Sequence, residues 1–238
     1  GGAITVCDEY VKKLGPDFHP QVWFLRGNAY HKIFQNTKKE VHIGQAIESY
    51  EKALALYKDV KTYTGLDSVG YQIDGMFNLG LLYEEQYKLL FTSWDPQIRK
   101  QKEWQIISSI SEAMSLAEMY GEWKEPIDEQ RERYLDRSLQ TYLDMIVRSD
   151  MPDVYLPLAE SICARGRASK EKEKYAKYAE TLRFDPNIKT CVYWIRGKEL
   201  AETVLAYDDS IDQLRKGLGL AESEEAQATI CRQVADIY

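Results

Sequence analysis

Apolar residues recur every three or four positions along almost the whole 238-residue chain, which is the spacing of amphipathic helices. Glycine, proline and short polar runs interrupt this spacing and predict where the helices end, as at Gly121. Asp95 and Ser169 are the expected caps of the fifth and eighth helices, and Ser223 is expected to open the eleventh. The pattern therefore predicts an all-α protein of eleven helices without β-strands. The helices are expected at residues 3–14, 21–35, 41–58, 72–91, 96–119, 126–148, 151–164, 169–185, 189–206, 208–220 and 223–238.

Two pairs of these helices share a sequence pattern. Residues 22–27 read VWFLRG, and residues 192–197 read VYWIRG. The first stretch is followed by AIESYEKALAL at 46–56, and the second by SIDQLRKGLGL at 210–220. Matched segments in the same order indicate an internal repeat of two linked helices. Repeat arrays present extended surfaces rather than deep pockets.

Small and large residues alternate within the first pair. Two antiparallel helices approach closely only where one of them offers small side chains. Gly27 offers that space on the first helix, and Ala46 and Ala53 offer it on the second. The aromatic residues expected to fill the space are Trp23, Tyr30 and Tyr50.

These positions resemble the tetratricopeptide repeat, whose first helix carries W-x2-L-G-x2-Y and whose second carries A-x3-F/Y-x2-A. The stretch from Phe77 to Tyr83 around Gly80 resembles a second copy of the first helix, and Thr181 to Asn187 resembles the ending of a repeat. The resemblance implies a right-handed α-α superhelix, a solenoid in which helix pairs stack. The matching residues of the first unit are Trp23, Gly27, Tyr30, Ala46, Tyr50 and Ala53, and those of a late unit are Ile195, Gly197, Ser210, Leu214 and Gly217.

No long or low-complexity linker divides the chain, so the solenoid is expected to form one domain over residues 1–238. Tyr83 and Ile106 are 23 positions apart, which predicts longer helices or a larger loop than the family uses in that pair. The expected segments are a half-repeat or cap at 1–15, repeats at 20–58, 151–187 and 189–221, an expanded repeat at 71–119, an irregular long helix at 126–149, and a half-repeat or cap at 224–238. The tryptophans outside the matched motif, which are the candidates for surface contacts, are Trp94, Trp104 and Trp123.

In this family the first helix of each pair lines a concave groove that receives a peptide or a partner protein. Asn28 and Asn78 fall where clamp-type members carry asparagines that bind a terminal carboxylate. Phe24 stands where the clamp has its first lysine, and loss of that cation weakens the carboxylate-clamp interpretation. The groove candidates are Phe24, Asn28, His31, Lys32, Phe77, Asn78, Leu81 and Glu85, with Arg133 and Arg137 from the sixth helix.

Composition narrows the classes of function. The net charge is −7, from 31 basic and 38 acidic residues, whereas a general nucleic-acid binder needs a basic excess. The motifs G-x-S-x-G, G-x4-G-K-[ST] and H-E-x-x-H are absent, and the three histidines lack metal-ligand spacing. We therefore expect no catalytic residues, no cofactor and no metal site.

The cellular compartment is left open by the sequence. The four cysteines are widely spaced and form no C-x-x-C, which favours free thiols and a cytoplasmic location. A periplasmic or secreted location also remains open, because the leading Gly-Gly resembles a trimmed terminus. No run of eighteen apolar residues predicts a membrane span.

The sequence therefore favours a non-enzymatic interaction module that binds a peptide or partner protein in its groove. Two alternatives remain. One is a structural or assembly subunit that makes constitutive contacts through its ends or its expanded repeat. The other is an accessory sensor domain of a larger protein, suggested by the half-repeats at both ends.

Overall fold

A computed structural model describes residues 2–16, 19–59, 66–119 and 129–238. Within these ranges there are eleven α-helices and no β-strand, which confirms the all-helical prediction. The helices are α1 (Gly2–Leu14), α2 (Pro20–Thr37), α3 (Glu40–Asp59), α4 (Leu66–Leu90), α5 (Pro96–Met119), α6 (Glu129–Arg148), α7 (Pro152–Arg165), α8 (Lys172–Thr181), α9 (Ile188–Glu199), α10 (Tyr207–Leu218) and α11 (Glu224–Ile237).

The chain folds into two compact units. Unit 1 is Gly1–Trp123 and contains α1 to α5, and unit 2 is Lys124–Tyr238 and contains α6 to α11. In unit 1 each helix packs on the next one along the chain, from α1 to α5. In unit 2 the closest pairs are α6 with α7, α9 with α10, and α10 with α11. Packing of sequential neighbours is the arrangement expected of helical hairpins.

Local capping signals place several helix ends. Asp95 Oδ1 accepts hydrogen bonds from the backbone N–H of Gln97 at 2.8 Å and Ile98 at 3.0 Å, which confirms Asp95 as the cap of α5. Ser223 caps α11 by accepting from the N–H of Ala226 at 3.1 Å. The ends predicted at Gly121 and Pro126 lie outside the described residues.

Several helix boundaries differ from the prediction by a few residues. Helix α4 begins at Leu66, so part of the predicted polar loop is helical. Helix α8 begins at Lys172, although Ser169 Oγ still accepts from the N–H of Glu171 at 3.0 Å in the preceding turn. Helix α9 ends at Glu199 and continues as a π-helix, Leu200–Val204. Close to this change, a side chain from α10 donates a hydrogen bond to a backbone carbonyl of α9, a known way to disturb the helical ladder.

The predicted contact between a small and a large residue of the first pair is confirmed for Gly27 and Tyr50, and unit 2 contains a similar contact. A Cβ added at Gly27 would meet the Tyr50 ring at 3.0 Å, and Ala46, Tyr50 and Ala53 are fully buried. A Cβ added at Gly197 would meet Leu214 at 2.6 Å. The glycines therefore let neighbouring helices approach to distances at which a Cβ would crowd the facing side chain.

The expanded repeat of unit 1 consists of longer helices rather than a larger loop. Helix α4 has 25 residues and α5 has 24, joined by a short 3-10 turn at Phe91–Ser93. The Tyr87 hydroxyl donates to Glu103 Oε1 at 2.6 Å and ties the two helices together in the interior. Both groups are buried, so this bond satisfies two polar atoms that water does not reach.

Candidate functional site

Three of the predicted groove residues lie in the interior of unit 1. Phe24, Phe77 and Leu81 are 6%, 4% and 9% exposed. The Phe24 ring packs edge-on against Tyr50 and Tyr71, with ring centroids 5.4 Å apart in both cases. These three side chains are therefore part of the packed core and do not face an open groove, which corrects the orientation expected from the family pattern.

The accessible candidates lie on α2 and α4. Asn28 and Lys32 are exposed, and His31 and Asn78 are half-buried. Leu25 was not among the predicted groove residues; it is 57% exposed and lies one turn before Asn28. We name the set Leu25, Asn28, His31, Lys32, Asn78 and Glu85 the α2–α4 face.

A glycine permits α4 to approach α2 and α3 closely. A Cβ added at Gly75 would meet a methyl group of Leu54 on α3 at 3.1 Å and the Phe24 ring on α2 at 3.6 Å. Further along, His31 Nε2 lies 3.8 Å from Glu85 Oε1, so the two helices also meet through polar groups. This close approach places Asn78, one turn after Gly75, beside the second helix of the first pair.

The Tyr50 hydroxyl is the centre of the α2–α4 face. It donates a hydrogen bond to Asn28 Oδ1, and the Asn78 side chain lies near the same hydroxyl. Burial raises the pKa of Tyr50, the nearby Asn78 amide lowers it, and the charge of Asp74 raises it. Tyr50 is thus both a packing residue, as predicted, and the group that orients the exposed Asn28 amide, which the sequence pattern did not indicate.

A second buried tyrosine fixes α4 against α3. The Tyr83 hydroxyl donates to Glu51 Oε1, and Tyr83 itself is 4% exposed. Burial and then the neighbouring Glu51 carboxylate raise the pKa of Tyr83, so this phenol remains protonated at neutral pH. The hydroxyls of Tyr50 and Tyr83 therefore tie α3 to α2 and α4 to α3 behind the α2–α4 face.

The remaining predicted residues lie elsewhere. Arg133 and Arg137 are exposed and one turn apart on α6, in unit 2. Trp94 is half-buried, with its ring 6.1 Å from that of Tyr87, and Trp104 is 49% exposed. Trp123 lies outside the described residues.

Unit 2 contains an open cleft of about 750 Å³ between α8 and the segment formed by α9 and the π-helix. The sequence pattern did not indicate this cleft. A volume of this size is within the range of small-molecule sites. Its lining residues are Lys170, Glu171, Lys172, Glu173, Lys174, Lys177, Tyr178, Thr181, Ile195, Lys198, Glu199, Glu202 and Thr203.

Two lysines of this cleft are held in ion pairs. Lys174 Nζ lies 2.6 Å from Asp136 and 3.2 Å from Glu171, and Lys177 Nζ lies 3.3 Å from Glu202. A ligand that meets Lys174 or Lys177 would therefore have to displace existing ion pairs. Because no strong surplus of either charge selects a ligand, we consider the α2–α4 face the better candidate for a functional site.

Glu199 at the base of the cleft accepts a hydrogen bond from the Tyr178 hydroxyl. Burial raises the pKa of Glu199. The charge of the nearby Lys174 lowers this pKa in part, and the charge of Asp136 raises it further. Among the described residues, no group of histidine, cysteine and acidic side chains has the geometry of a metal site. None of the described helices is long and apolar enough to cross a membrane.

Comparisons with family models, with curated proteins and with solved structures found no match to this chain. The resemblance to tetratricopeptide repeats therefore depends on the sequence motifs alone. Any assignment of function has to come from the chemistry of the surfaces described above.

Proposed function

We propose that this protein is a non-enzymatic interaction module of tetratricopeptide-like helix pairs, and that its α2–α4 face binds a peptide or a segment of a partner protein. The observation that carries the proposal is an accessible surface of apolar, amide and charged side chains that lies over a fully buried tyrosine. Leu25, Asn28 and Lys32 form one stripe of α2, because residues three and four positions apart share a helix face. Tyr50 behind this stripe is fully buried.

The rigidity of this support favours binding. A surface whose residues are already ordered loses little conformational entropy when a partner arrives. Leu25 offers apolar area, while the neighbouring amides and Lys32 offer hydrogen bonds and a charge. This mixture is typical of surfaces that bind polypeptides rather than small apolar molecules. The repeated glycine-centred contacts support a stacked, superhelical arrangement as part of the same proposal.

The test compares two matched substitutions. Leu25→Asp places a charge on the α2–α4 face, and Val41→Asp places the same charge on α3 at a residue with nearly equal exposure, 57% against 58%. The immobilised full chain and both variants are used to capture proteins from the cells that produce it, followed by mass spectrometry. We expect partners that bind wild type and Val41→Asp but not Leu25→Asp. Equal capture by all three forms would argue against this face.

A specific observation also favours the alternative of an assembly subunit. Val6, Tyr10 and Leu14 are 52%, 53% and 40% exposed, and their spacing places them on one face of α1. Under this alternative, sedimentation equilibrium shows an oligomer that Tyr10→Glu dissociates and Val41→Asp does not. A monomer across the accessible concentration range would remove the alternative.

A further inference from the structure

The open cleft of unit 2 presents charges of both signs in nearly equal number. Five lysines and four glutamates line it, and Asp136, which pairs with Lys174, makes the two numbers even. A ligand of a single sign is therefore repelled by about as many of these groups as attract it. A small molecule that carries both signs avoids this conflict, provided that one anion and one cation of the cleft are free to receive it.

Glu199 on α9 is the free anion. Its Oε1 atom accepts the proton of the Tyr178 hydroxyl, and this hydroxyl in turn accepts from Gln140 Nε2 at 3.4 Å. Among the described residues, no cation lies within 4 Å of Glu199, and its Oε2 atom has no hydrogen-bond partner. Burial raises the pKa of Glu199, as expected of a carboxylate without a counterion. A ligand ammonium at Oε2 would supply that counterion.

Lys198, the preceding residue of α9, is the corresponding cation. Its Nζ lies 5.2 Å from the centre of the Trp194 ring, which attracts an ammonium without neutralising its charge. None of the described carboxylates lies within 4 Å of it, whereas Lys174 and Lys177 are held in ion pairs. Lys198 is half-buried, so water screens its charge less than that of a fully exposed lysine.

The backbone that follows these two residues is unusual. The π-helix Leu200–Val204 begins directly after Glu199, and its residues Glu202 and Thr203 line the cleft. It ends at Leu205, a residue other than glycine in the left-handed region, with φ 54° and a side chain that is 63% exposed. Both π-turns within helices and left-handed residues of this kind are frequent at functional sites. The backbone and the unpaired charges thus single out the same wall of the cleft.

We infer that this cleft binds a small zwitterion, with Glu199 accepting from its ammonium group and Lys198 pairing with its carboxylate. The inference concerns unit 2 and goes beyond the proposed function of the α2–α4 face. A free amino acid and a short peptide share this chemistry, and a volume of about 750 Å³ admits either of them. Tyr178 is a positioning residue, because it acts through Glu199.

The experiment screens the full chain by thermal shift in low salt, with the standard amino acids and with the dipeptides in which each of them precedes glycine. The best binder is then compared with its desamino form, which lacks the ammonium, and with its C-terminal amide, which lacks the carboxylate. Dissociation constants are measured by calorimetry for the wild type, Glu199→Gln and Lys198→Gln. The matched controls are Glu180→Gln on α8 and Lys216→Gln on α10, which change exposed residues outside the cleft.

We expect Glu199→Gln to weaken binding about tenfold or more, because a charge-assisted hydrogen bond is lost. Lys198→Gln should weaken it about threefold to fivefold, because its ion pair is partly exposed. Removing the ligand's ammonium should cost little further affinity in Glu199→Gln, and amidation should cost little in Lys198→Gln, since each pair of changes removes the same contact. Both control variants should bind as the wild type does.

Several results would overturn the inference. One is a screen without a binder, and another is a binder that Glu199→Gln and Glu180→Gln affect equally. Binding that requires Glu199 but is insensitive to amidation and to Lys198→Gln would show a site for cations instead of zwitterions. If Glu199→Gln does not fold, equal affinity of the wild type for the unmodified and desamino ligands gives the same negative answer.

The two sources of the ligand are separated by the screen itself, since binding of the amino acids indicates a free amino acid and binding of the dipeptides alone indicates a peptide. Leu25→Asp, which tests the α2–α4 face, should leave the affinity of the cleft unchanged. The inference and the proposed function can therefore fail independently.

Discussion

The repeated motif produces different surfaces in the two units. Opposite Gly27 lies Tyr50, whose ring fills the space and whose hydroxyl donates a hydrogen bond to Asn28 on the α2–α4 face. Opposite Gly197 lies Leu214, which is fully buried and ends in methyl groups. The same glycine-centred packing therefore yields a hydrogen-bonding surface in one copy and a closed apolar contact in the other. In this chain the positions at which the two copies differ are therefore better candidates for function than the packing positions that they share.

The second copy is anchored by a buried carboxylate. Asp185 is 6% exposed and accepts hydrogen bonds from the backbone N–H of Asn187 at 2.9 Å, Ser223 at 3.0 Å and Glu222 at 3.2 Å. Burial opposes the charged form of Asp185, but these N–H groups outweigh burial and lower its pKa. One side chain thus joins the connection before α9 to the connection after α10.

The largest expected effect comes from removing this anchor. We expect Asp185→Asn to destabilise unit 2 by about 2–3 kcal/mol at neutral pH, because three hydrogen bonds lose a charged acceptor. The pKa of Asp185 is lower in the folded than in the unfolded chain, so its contribution is present above about pH 4 and is lost as the pH falls through the folded value. Denaturant unfolding of wild type and variant should therefore differ at neutral pH and converge in acid.

The exposed Asp236 on α11 provides the control for this measurement, since Asp236→Asn changes the charge equally without touching the anchor. A destabilisation of Asp185→Asn that is the same at neutral and acid pH would mean that the charge of Asp185 contributes nothing.

The glycines of the two copies give the next effect. Gly197→Ala brings a Cβ to 2.6 Å from Leu214 and 3.3 Å from the backbone oxygen of Ser210, and we expect a loss of about 2 kcal/mol. Gly27→Ala meets only ring atoms of Tyr50 at 3.0 to 3.1 Å, and the helical preference of alanine offsets part of that crowding, so we expect less than about 1 kcal/mol. Amide hydrogen exchange with mass spectrometry measures each unit separately. Equal losses would contradict the difference in crowding.

Removing a single hydroxyl in each copy separates an effect on partner binding from an effect on stability alone. Tyr50→Phe and Ser210→Ala should each cost about 1 kcal/mol, since Ser210 Oγ donates to the Gly197 carbonyl at 2.7 Å as Tyr50 donates to Asn28. Only Tyr50→Phe should alter partner binding, measured by titration calorimetry with a captured partner. Weaker binding in both variants would indicate a general loss of structure.

The smallest effect concerns the arginines before the two glycines. Arg26 pairs with Asp8 at 2.9 Å, and Arg196 pairs with Asp144, whose side chain is 24% exposed against 51% for Asp8. We expect Asp144→Asn to cost about 1 kcal/mol and Asp8→Asn less than about 0.5 kcal/mol, since water screens the exposed pair. Thermal melting at low and high salt checks this order. If salt reduces the cost of Asp144→Asn more than the cost of Asp8→Asn, the Arg196–Asp144 pair is the more screened of the two and the expected order is wrong.

Local signals in the sequence predicted most helices of the described chain. Asp95 and Ser223 cap helices where expected, because a capping side chain bonds only to backbone two or three residues ahead. The π-helix after Glu199 was not predictable in this way. It lies where Ser210, from the next helix, bonds to the backbone of α9, and such a contact depends on packing rather than on local preference.

The candidate site was only partly predictable. The offsets of Asn28 and Asn78 from Gly27 and Gly80 placed both amides on accessible helix surface. The expectation that Phe77 lines a groove was wrong in orientation, because α4 packs on both α3 and α5 and its buried stripe is wide. Periodicity gives the direction of a side chain around its own helix, but not how many neighbours cover that helix.

The sequence by itself determined the helices, their caps and the glycine-centred pairs, since these depend on residues within a few positions or on simple size complementarity. Only the tertiary structure decided that the Tyr50 hydroxyl on α3 donates a hydrogen bond to Asn28 on α2, 22 positions earlier in the chain. That bond depends on how the two helices pack against each other, which no spacing along the chain records.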